Sequence, residues 1–377
     1  MKPAVRSVLY SVHTWGGLTI GLLIAILGLT GSALVFRADI EKWQVREWLS
    51  VMPVGQRLTL DQIVANGAAQ IPAKEVVRVV LPHDDASSVE VILQKRQPKN
   101  LKDAELVSVF VDPYRGQVLG ERECAKGWIW QLQDFHYALF AGETGLKLNG
   151  VGAAVMVALG LTGPLLWWPG WRRRRDALRV RRRPKPAFWR DLHALSGVAI
   201  CIALLLIGLT GLYYAYRTTA TAVIALASGT SGVPAPIVDS AGEPPVAASL
   251  TALVAAASRA VPEATLDELR PSRRAGSPAI LSFRLPDDVV FGRHRMFLNP
   301  RDATVLRIDR HDSLPLGARM LGNMAPWHFG SFGGRLTQWL WFIAGLLPAG
   351  LFASGLWLWL RKRRPTTAHQ PAASTAN

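Results

Sequence analysis

The sequence predicts an integral membrane protein: a four-transmembrane-helix bundle made of two tandem pseudo-symmetric repeats, each carrying a small α+β domain outside the bilayer. Three observations predict it. Four stretches, Trp15–Phe36, Leu148–Trp171, Leu192–Tyr216 and Leu336–Leu360, contain no Asp, Glu, Lys or Arg, and each reaches the about 20 residues that cross a hydrocarbon core. Basic residues gather in the short segments beside those stretches and not in the long ones. The second half of the chain also repeats motifs of the first.

Taken in order, residues 1–37 hold the first transmembrane helix. Its uncharged run outlasts the about 7–15 residues of a signal-peptide core, so it is expected to be retained. Residues 38–145 form the first outside domain, with a helix around Leu60–Gln70 and a strand at Val89–Leu93 expected from their periodicity. Residues 146–171 are the second transmembrane helix, 172–191 a basic loop and 192–217 the third helix. Residues 218–335 form the second outside domain, with a helix around Leu250–Ala260, a strand at Ile280–Leu285 and a Gly-, Pro-, Ser- and Ala-rich flexible loop at Gly229–Pro245. Residues 336–360 are the fourth helix and 361–377 a tail expected to be disordered after Arg364.

Charge sets the orientation. The segment Trp171–Asp191 has ten basic and two acidic residues, the N-terminus carries Lys2 and Arg6, and the tail begins Arg361, Lys362, Arg363, Arg364. By contrast Arg37–Glu143 has 13 basic and 15 acidic residues, and Arg217–Arg335 has 13 and 10. The positive-inside rule makes both termini and the short loop cytoplasmic and both long loops external, in a multi-pass protein of the bacterial inner (cytoplasmic) membrane. The formal charge of +16 thus reflects topology and contact with membrane lipid, and no nucleic-acid partner is expected. Cys124 falls outside the membrane and Cys201 within it, so no intramolecular disulfide framework is implied.

The repeat has two offsets. His13-Thr14-Trp15-Gly16-Gly17 through Gly28-Leu29-Thr30-Gly31 recurs 180 residues later as His193-Ala194-Leu195-Ser196-Gly197 through Gly208-Leu209-Thr210-Gly211, and each histidine precedes the last glycine by 18 residues. Phe135-His136-Tyr137 matches Trp327-His328-Phe329 at an offset of 192, with Gly163 and Gly355 following 27 residues after each histidine. Gly160-Leu161-Thr162-Gly163 has drifted to Phe352-Ala353-Ser354-Gly355. The outside loops repeat as well: Val111-Asp112-Pro113-Tyr114-Arg115-Gly116-Gln117-Val118-Leu119 is echoed by Leu298-Asn299-Pro300-Arg301-Asp302-Ala303-Thr304-Val305-Leu306. An even number of spans per unit gives both copies one orientation, related by an axis along the membrane normal.

Of eight histidines, four occupy repeat-related positions: His13 with His193 at the cytoplasmic ends of helices, and His136 with His328 outside. They are either interfacial histidines copied by duplication or a functional set. Gly17 and Gly21 follow His13 at helical spacing, and Gly197 and Cys201 follow His193, a row of small side chains that clears one face beside each imidazole. Such a row serves a flat ring or close helix packing equally well. Pseudo-two-fold symmetry would bring each pair together at one end of the bundle. Two histidines leave Zn²⁺ short of its four ligands, whereas a porphyrin needs only two axial ligands, so haem fits the ligand count. No Cys-x-x-Cys-His is present, which makes the expected cofactor two b-type, non-covalent haems. The iron ligands would be His13, His193, His136 and His328, with Gly17, Gly197, Gly31, Gly211 and Gly163 lining the cofactor; the lesser alternative for some of these glycines is helix packing alone.

With those residues in view, nearly the whole chain resembles the PepSY-associated transmembrane family and, within it, the iron-regulated FoxB-type siderophore reductases. The resemblance rests on the four spans, the two Asp/Asn-Pro-x-x-Gly/Ala signatures and the four placed histidines. It implies PepSY-like outside domains, two b-type haems and reduction of a ferric siderophore, hydroxamate type favoured, to release ferrous iron in the periplasm. An electron donor in the cytoplasm or a quinol would feed the His13/His193 haem, and the His136/His328 haem would be the exit. Trp128, Trp130, Tyr137, Trp327 and Phe329 then form either an apolar floor for the chelate or an interfacial aromatic belt. Arg172–Arg175 and Arg181–Arg183 either meet haem propionates or a donor protein, or set topology against anionic lipid. The rival expectation is a non-catalytic PepSY membrane protein that binds a peptide, a peptidase or an iron chelator without haem. Ala303 in place of a second Gly116, and Phe352 in place of a second Gly160, depart from strict repetition.

Overall fold

The computed structural model describes residues 2–96, 105–168, 178–181, 185–230, 232–238, 248–286, 288 and 294–363. The runs Arg172–Arg175 and Arg182–Arg183, much of the loop Gly229–Pro245 and the tail from Arg364 lie outside these residues. The chain divides into two compact units, a helical one (Met1–Ser32, Leu148–Leu212, Trp341–Asn377) and an α+β one (Ala33–Lys147, Tyr213–Leu340).

Three of the four sequence stretches without charge form single helices longer than the stretches themselves, and the first spans two helices. After α1 (Pro3–Thr19), α2 (Gly21–Val35), α3 (Arg37–Gln44), α4 (Arg46–Leu49), α5 (Leu60–Ala69) and α6 (Trp128–Ala138) come α7 (Gly142–Trp167), α8 (Lys185–Ala215), α9 (Arg217–Ser228), α10 (Leu250–Ala260), α11 (Leu316–Phe329) and α12 (Gly334–Lys362). Among the described residues, α7, α8 and α12 are long and apolar enough to cross a membrane, and α1 with α2 make a fourth crossing if the bent pair counts as one span. The first stretch therefore departs from expectation: it bends by 62° between Thr19 and Gly21. Gly16, Gly17 and Gly21 flank the bend and weaken the helix there, the usual setting of a sharp kink. A Cβ on Gly21 would overlap the Phe352 ring, so the bend also admits a close neighbour.

Small residues bring helices of the first unit together. A methyl on Gly28 would collide with the Gly345 carbonyl of α12, and Ser32 donates a hydrogen bond to the Phe342 carbonyl at 2.8 Å. A Cβ on Gly208 would stand 2.8 Å from Val157 of α7. These contacts are the close backbone approach that small residues permit between membrane helices. Gly28 and Gly208, the first glycines of two of the three Gly-Leu-Thr-Gly motifs, are thus packing residues.

In the α+β unit, eight strands follow in the order β1 (Lys74–Val80), β2 (Val89–Lys95), β3 (Val107–Val111), β4 (Val118–Glu123), β5 (Thr265–Arg270), β6 (Ala279–Arg284), β7 (His294–Leu298) and β8 (Val305–Asp309). The sequence leads one to expect two separate small domains, whereas the strands build one antiparallel sheet, β4-β3-β2-β1-β5-β6-β7-β8. The halves join where Val79 pairs with Leu269 and Val80 with Glu268. Each half buries an apolar core under its own helix, Ile63 and Val64 of α5 over Val79, Val91 and Val109, and Leu253 and Ala257 of α10 over Leu269, Leu281 and Met296. Leu250, Val254 and Leu266 pack against both cores. At about 1.5–3 kcal/mol for each buried aliphatic side chain, this shared layer favours one sheet over two exposed edges.

Polar groups lock the same seam. Asp61 of α5 accepts from the Leu250 and Thr251 amides at 2.7 and 3.1 Å and from the Thr251 hydroxyl at 2.6 Å, and Thr251 Oγ1 in turn accepts from the Leu60 amide at 3.1 Å. Each helix start, capped by its own Thr59 or Ser249, therefore takes a further hydrogen-bond partner from the other repeat. Burial pushes the Asp61 carboxyl up, but the hydrogen bonds from Thr251 and Leu250 outweigh it and hold the group below its ordinary value of 3.8. The Asp/Asn-Pro signatures form the β3–β4 and β7–β8 turns: Asp112 Oδ1 accepts from the Tyr114 and Arg115 amides, and Asn299 Oδ1 from the Arg301 amide.

Candidate functional site

In the helical unit, α1 and α8 present His13 and His193 to each other with ring centres 6.3 Å apart and ring planes at 85°. Both rings are half-buried. Each is anchored through Nδ1 to a hydroxyl on a third helix: His13 to Thr162 Oγ1 of α7 and His193 to Ser354 Oγ of α12, both at 2.9 Å. The next residue in each of those helices is a glycine lying against the same imidazole. A Cβ on Gly163 would stand 3.4 Å from His13 Cε1, and one on Gly355 would stand 3.3 Å from His193 Cε1.

His13, His193, Gly163 and Gly355 line a cavity of about 580 Å³ together with Gly17 and Gly197. A Cβ on Gly17 would meet nothing within 4 Å, so that position faces open space. The cavity walls are mainly apolar, but Arg6, Arg179, Arg181, Arg190 and Lys362 also line it, beside Asp191. Arg181 grips Asp191 with two guanidinium hydrogen bonds of 2.7 and 2.8 Å. The remaining cations give the cavity a net positive lining, suited to a largely apolar ligand that carries carboxylates.

The α+β unit holds the other pair. His136 of α6 and His328 of α11 also have ring centres 6.3 Å apart, with planes at 57°. Both occupy the last turn of their helix, where exposed carbonyls favour positive charge. Leu139 and Phe140, both at positive φ, and Gly330, also at positive φ, turn the chain directly after these turns. Tyr214 packs edge-on against His328 at 5.2 Å and stacks on Phe329 at 6.4 Å.

Other residues singled out from sequence fall as follows. Gly31 lies in α2 and Gly211 in α8, both half-buried. Tyr137 and Phe329, next to the two histidines, are about half exposed, as is Trp128 at the start of α6, two turns from His136. Trp130 and Trp327 are half-buried. His83, His294 and His311 stay within local networks of the sheet domain. His294 accepts from the His311 amide through Nδ1, so its Nε2 carries the proton given to Asp288 at 2.8 Å. Among the described residues no group of three or more His, Cys, Asp or Glu gathers as a metal site.

Sequence reasoning missed Thr162, Ser354 and Tyr214. Thr162 and Ser354 were readable: they are 192 residues apart and each precedes a repeated glycine. Tyr214 carries no such signal, because Leu34 stands at the repeat-equivalent position.

A comparison with curated proteins returns no match. A model of the PepSY-associated TM region matches residues 10–362, which covers both histidine pairs, α1 from Tyr10 onward, and α2, α7, α8 and α12 in full. The chain is therefore a membrane protein that belongs to the PepSY-associated TM region family.

Proposed function

We propose that the protein is a transmembrane electron carrier of the bacterial inner membrane that reduces ferric siderophore on the outer side, with two b-type haems as its resident redox groups. The observation that carries this reading is the geometry of the histidine pairs. An imidazole bound to a metal sits about 2.0–2.1 Å from it, so two rings on one metal have centres roughly 6 Å apart. Both pairs, from different helices and different units, meet at 6.3 Å.

The chain's other residues fit the same group. The cavity of about 580 Å³ beside His13 and His193 lies within the roughly 300–1,000 Å³ of cofactor sites. Gly163 and Gly355 leave the imidazoles room beside their helices. The arginines and Lys362 of its lining suit the two carboxylates of a porphyrin. When bound, haem with two histidine ligands supplies a one-electron couple suited to electron transfer. His13, His193, His136 and His328 would hold it through an imidazole nitrogen each.

The charge pattern of the loops supports a cytoplasmic side for His13 and His193, where a cytoplasmic or quinol donor would supply electrons, and an outer side for His136 and His328. The exposed faces of Tyr137 and Phe329 offer an apolar platform to a chelate there. The substrate is Fe³⁺ held by hard oxygen donors, hydroxamates favoured. These hold Fe²⁺ less tightly, so a single electron loosens the metal.

The test uses reduced protein in proteoliposomes with the α+β unit facing out. External ferric hydroxamate should reoxidise the protein and yield ferrous iron trapped by ferrozine. A protein that stays reduced across a panel of ferric siderophores would refute the reductase assignment.

A further inference from the structure

We propose that Thr162 and Ser354 are positioning residues that fix the tautomer of His13 and His193, so that Nε2 of each ring is the nitrogen turned to the metal. The proposal rests on the haem reading above and deepens it by naming what orients the ligands of one of its two sites.

The argument is an accounting of protons. A hydroxyl has one hydrogen to give and two lone pairs to offer. Thr162 Oγ1 lies 2.7 Å from the Ala158 carbonyl, and Ser354 Oγ lies 2.7 Å from the Gly350 carbonyl. A carbonyl only accepts, so each hydroxyl hydrogen is committed to its own helix, one turn back. The contacts at 2.9 Å from Thr162 to His13 Nδ1 and from Ser354 to His193 Nδ1 must then run the other way, with Nδ1–H donating to oxygen. A neutral imidazole with its proton on Nδ1 keeps its lone pair on Nε2.

Two features separate this from an ordinary back-bonded hydroxyl that happens to lie near a ring. The arrangement occurs twice, on α7 for His13 and on α12 for His193, with equal distances. In both cases the following glycine receives the edge of the same imidazole, since a Cβ on Gly163 or Gly355 would stand 3.4 or 3.3 Å from Cε1. The hydroxyl and the glycine thus fix both the protonation and the rotation of the ring. A hydrogen bond accepted from the distal nitrogen makes the ligating nitrogen more basic, which favours the ferric state.

The test compares the full-length haem-loaded protein with Thr162→Val and Ser354→Ala, and with the hydroxyl-retaining Thr162→Ser and Ser354→Thr. Redox titration, low-spin EPR and haem transfer to apomyoglobin are read for each haem. Losing either hydroxyl should speed loss of one haem by about tenfold or more. It should also lower that haem's ferric-over-ferrous preference by about tenfold, a rise of about 59 mV for one electron. The other haem should not change, and the hydroxyl-retaining variants should behave as the parent. Fully loaded Thr162→Val and Ser354→Ala proteins with parental potentials, EPR and haem loss would overturn the inference while leaving the haem reading intact. Hydroxyl-retaining variants that behave like the others would overturn it too, by assigning the effect to packing. A parent protein without haem at His13 and His193 would remove the reading on which the inference stands.

Discussion

His13 and His193 are separated by 180 residues of sequence, yet their rings face each other at 6.3 Å across two helices. Each takes its anchoring hydroxyl from a helix that supplies no ligand. If one iron lies between them, His13→Ala and His193→Ala should give the same phenotype: loss or five-coordinate high-spin conversion of one haem, seen by EPR. His136→Ala and His328→Ala should affect the other haem. Spectra showing that His13 and His136 share an iron would contradict the pairing.

Gly163 and Gly355 lie so close to the imidazoles that added bulk must displace a ring. Gly163→Val or Gly355→Val should therefore lower the haem-to-chain ratio from about two toward about one, with the chain still folded by circular dichroism. Pyridine haemochrome analysis checks this. Unchanged loading in both variants would show that the rings have room to move aside.

The seam of the sheet should depend on pH through Asp61. Its carboxyl is held below 3.8 in the folded protein, so its contribution is present above the unfolded carboxyl value. That contribution is lost as pH falls through the lower folded value. Asp61→Ala should cost about 1 kcal/mol at neutral pH, and the difference from the parent should shrink below about pH 4. Thermal unfolding of the full chain at several pH values measures it. A difference that persists at low pH would mean that packing, not charge, holds the seam.

The two Asp/Asn-Pro turns should respond unequally to exchange of their key residue. Gly116 and Ala303 both stand in the left-handed region, at φ 68° and 60°. At Gly116 an added Cβ would collide with Asn66 and press on Leu58 at 3.0 Å, so Gly116→Ala should destabilise by more than about 1 kcal/mol. Ala303→Gly relieves about 1–2 kcal/mol of backbone strain but gives up a buried methyl and some unfolded-state entropy, and should fall within about 0.5 kcal/mol of the parent. Equal losses in the two variants would contradict the conformational argument.

The uncharged stretches announced the long helices, because crossing a bilayer imposes a length and a composition that no other pressure reproduces. The repeat announced which histidines meet, since duplicated elements related by an axis bring equivalent residues together. The 62° bend between Thr19 and Gly21 was not legible, because glycines flanking a helix break look the same as glycines packing a straight one. The joining of β1 to β5 was also hidden: two antiparallel half-sheets satisfy their own patterning equally well apart or edge to edge. Thr162 and Ser354 were overlooked for a simpler reason. A hydroxyl in a membrane helix most often bonds its own backbone, and only the structure shows an imidazole set against the oxygen whose hydrogen is so committed.

The central claim is that each histidine pair holds one haem, and a direct count of haem tests it best. Pyridine haemochrome analysis of the purified full-length protein, against chain concentration from amino-acid analysis, should give about two b-type haems per chain, with low-spin EPR from both. A ratio near one would make one pair structural, and a colourless, fully folded protein would contradict the account.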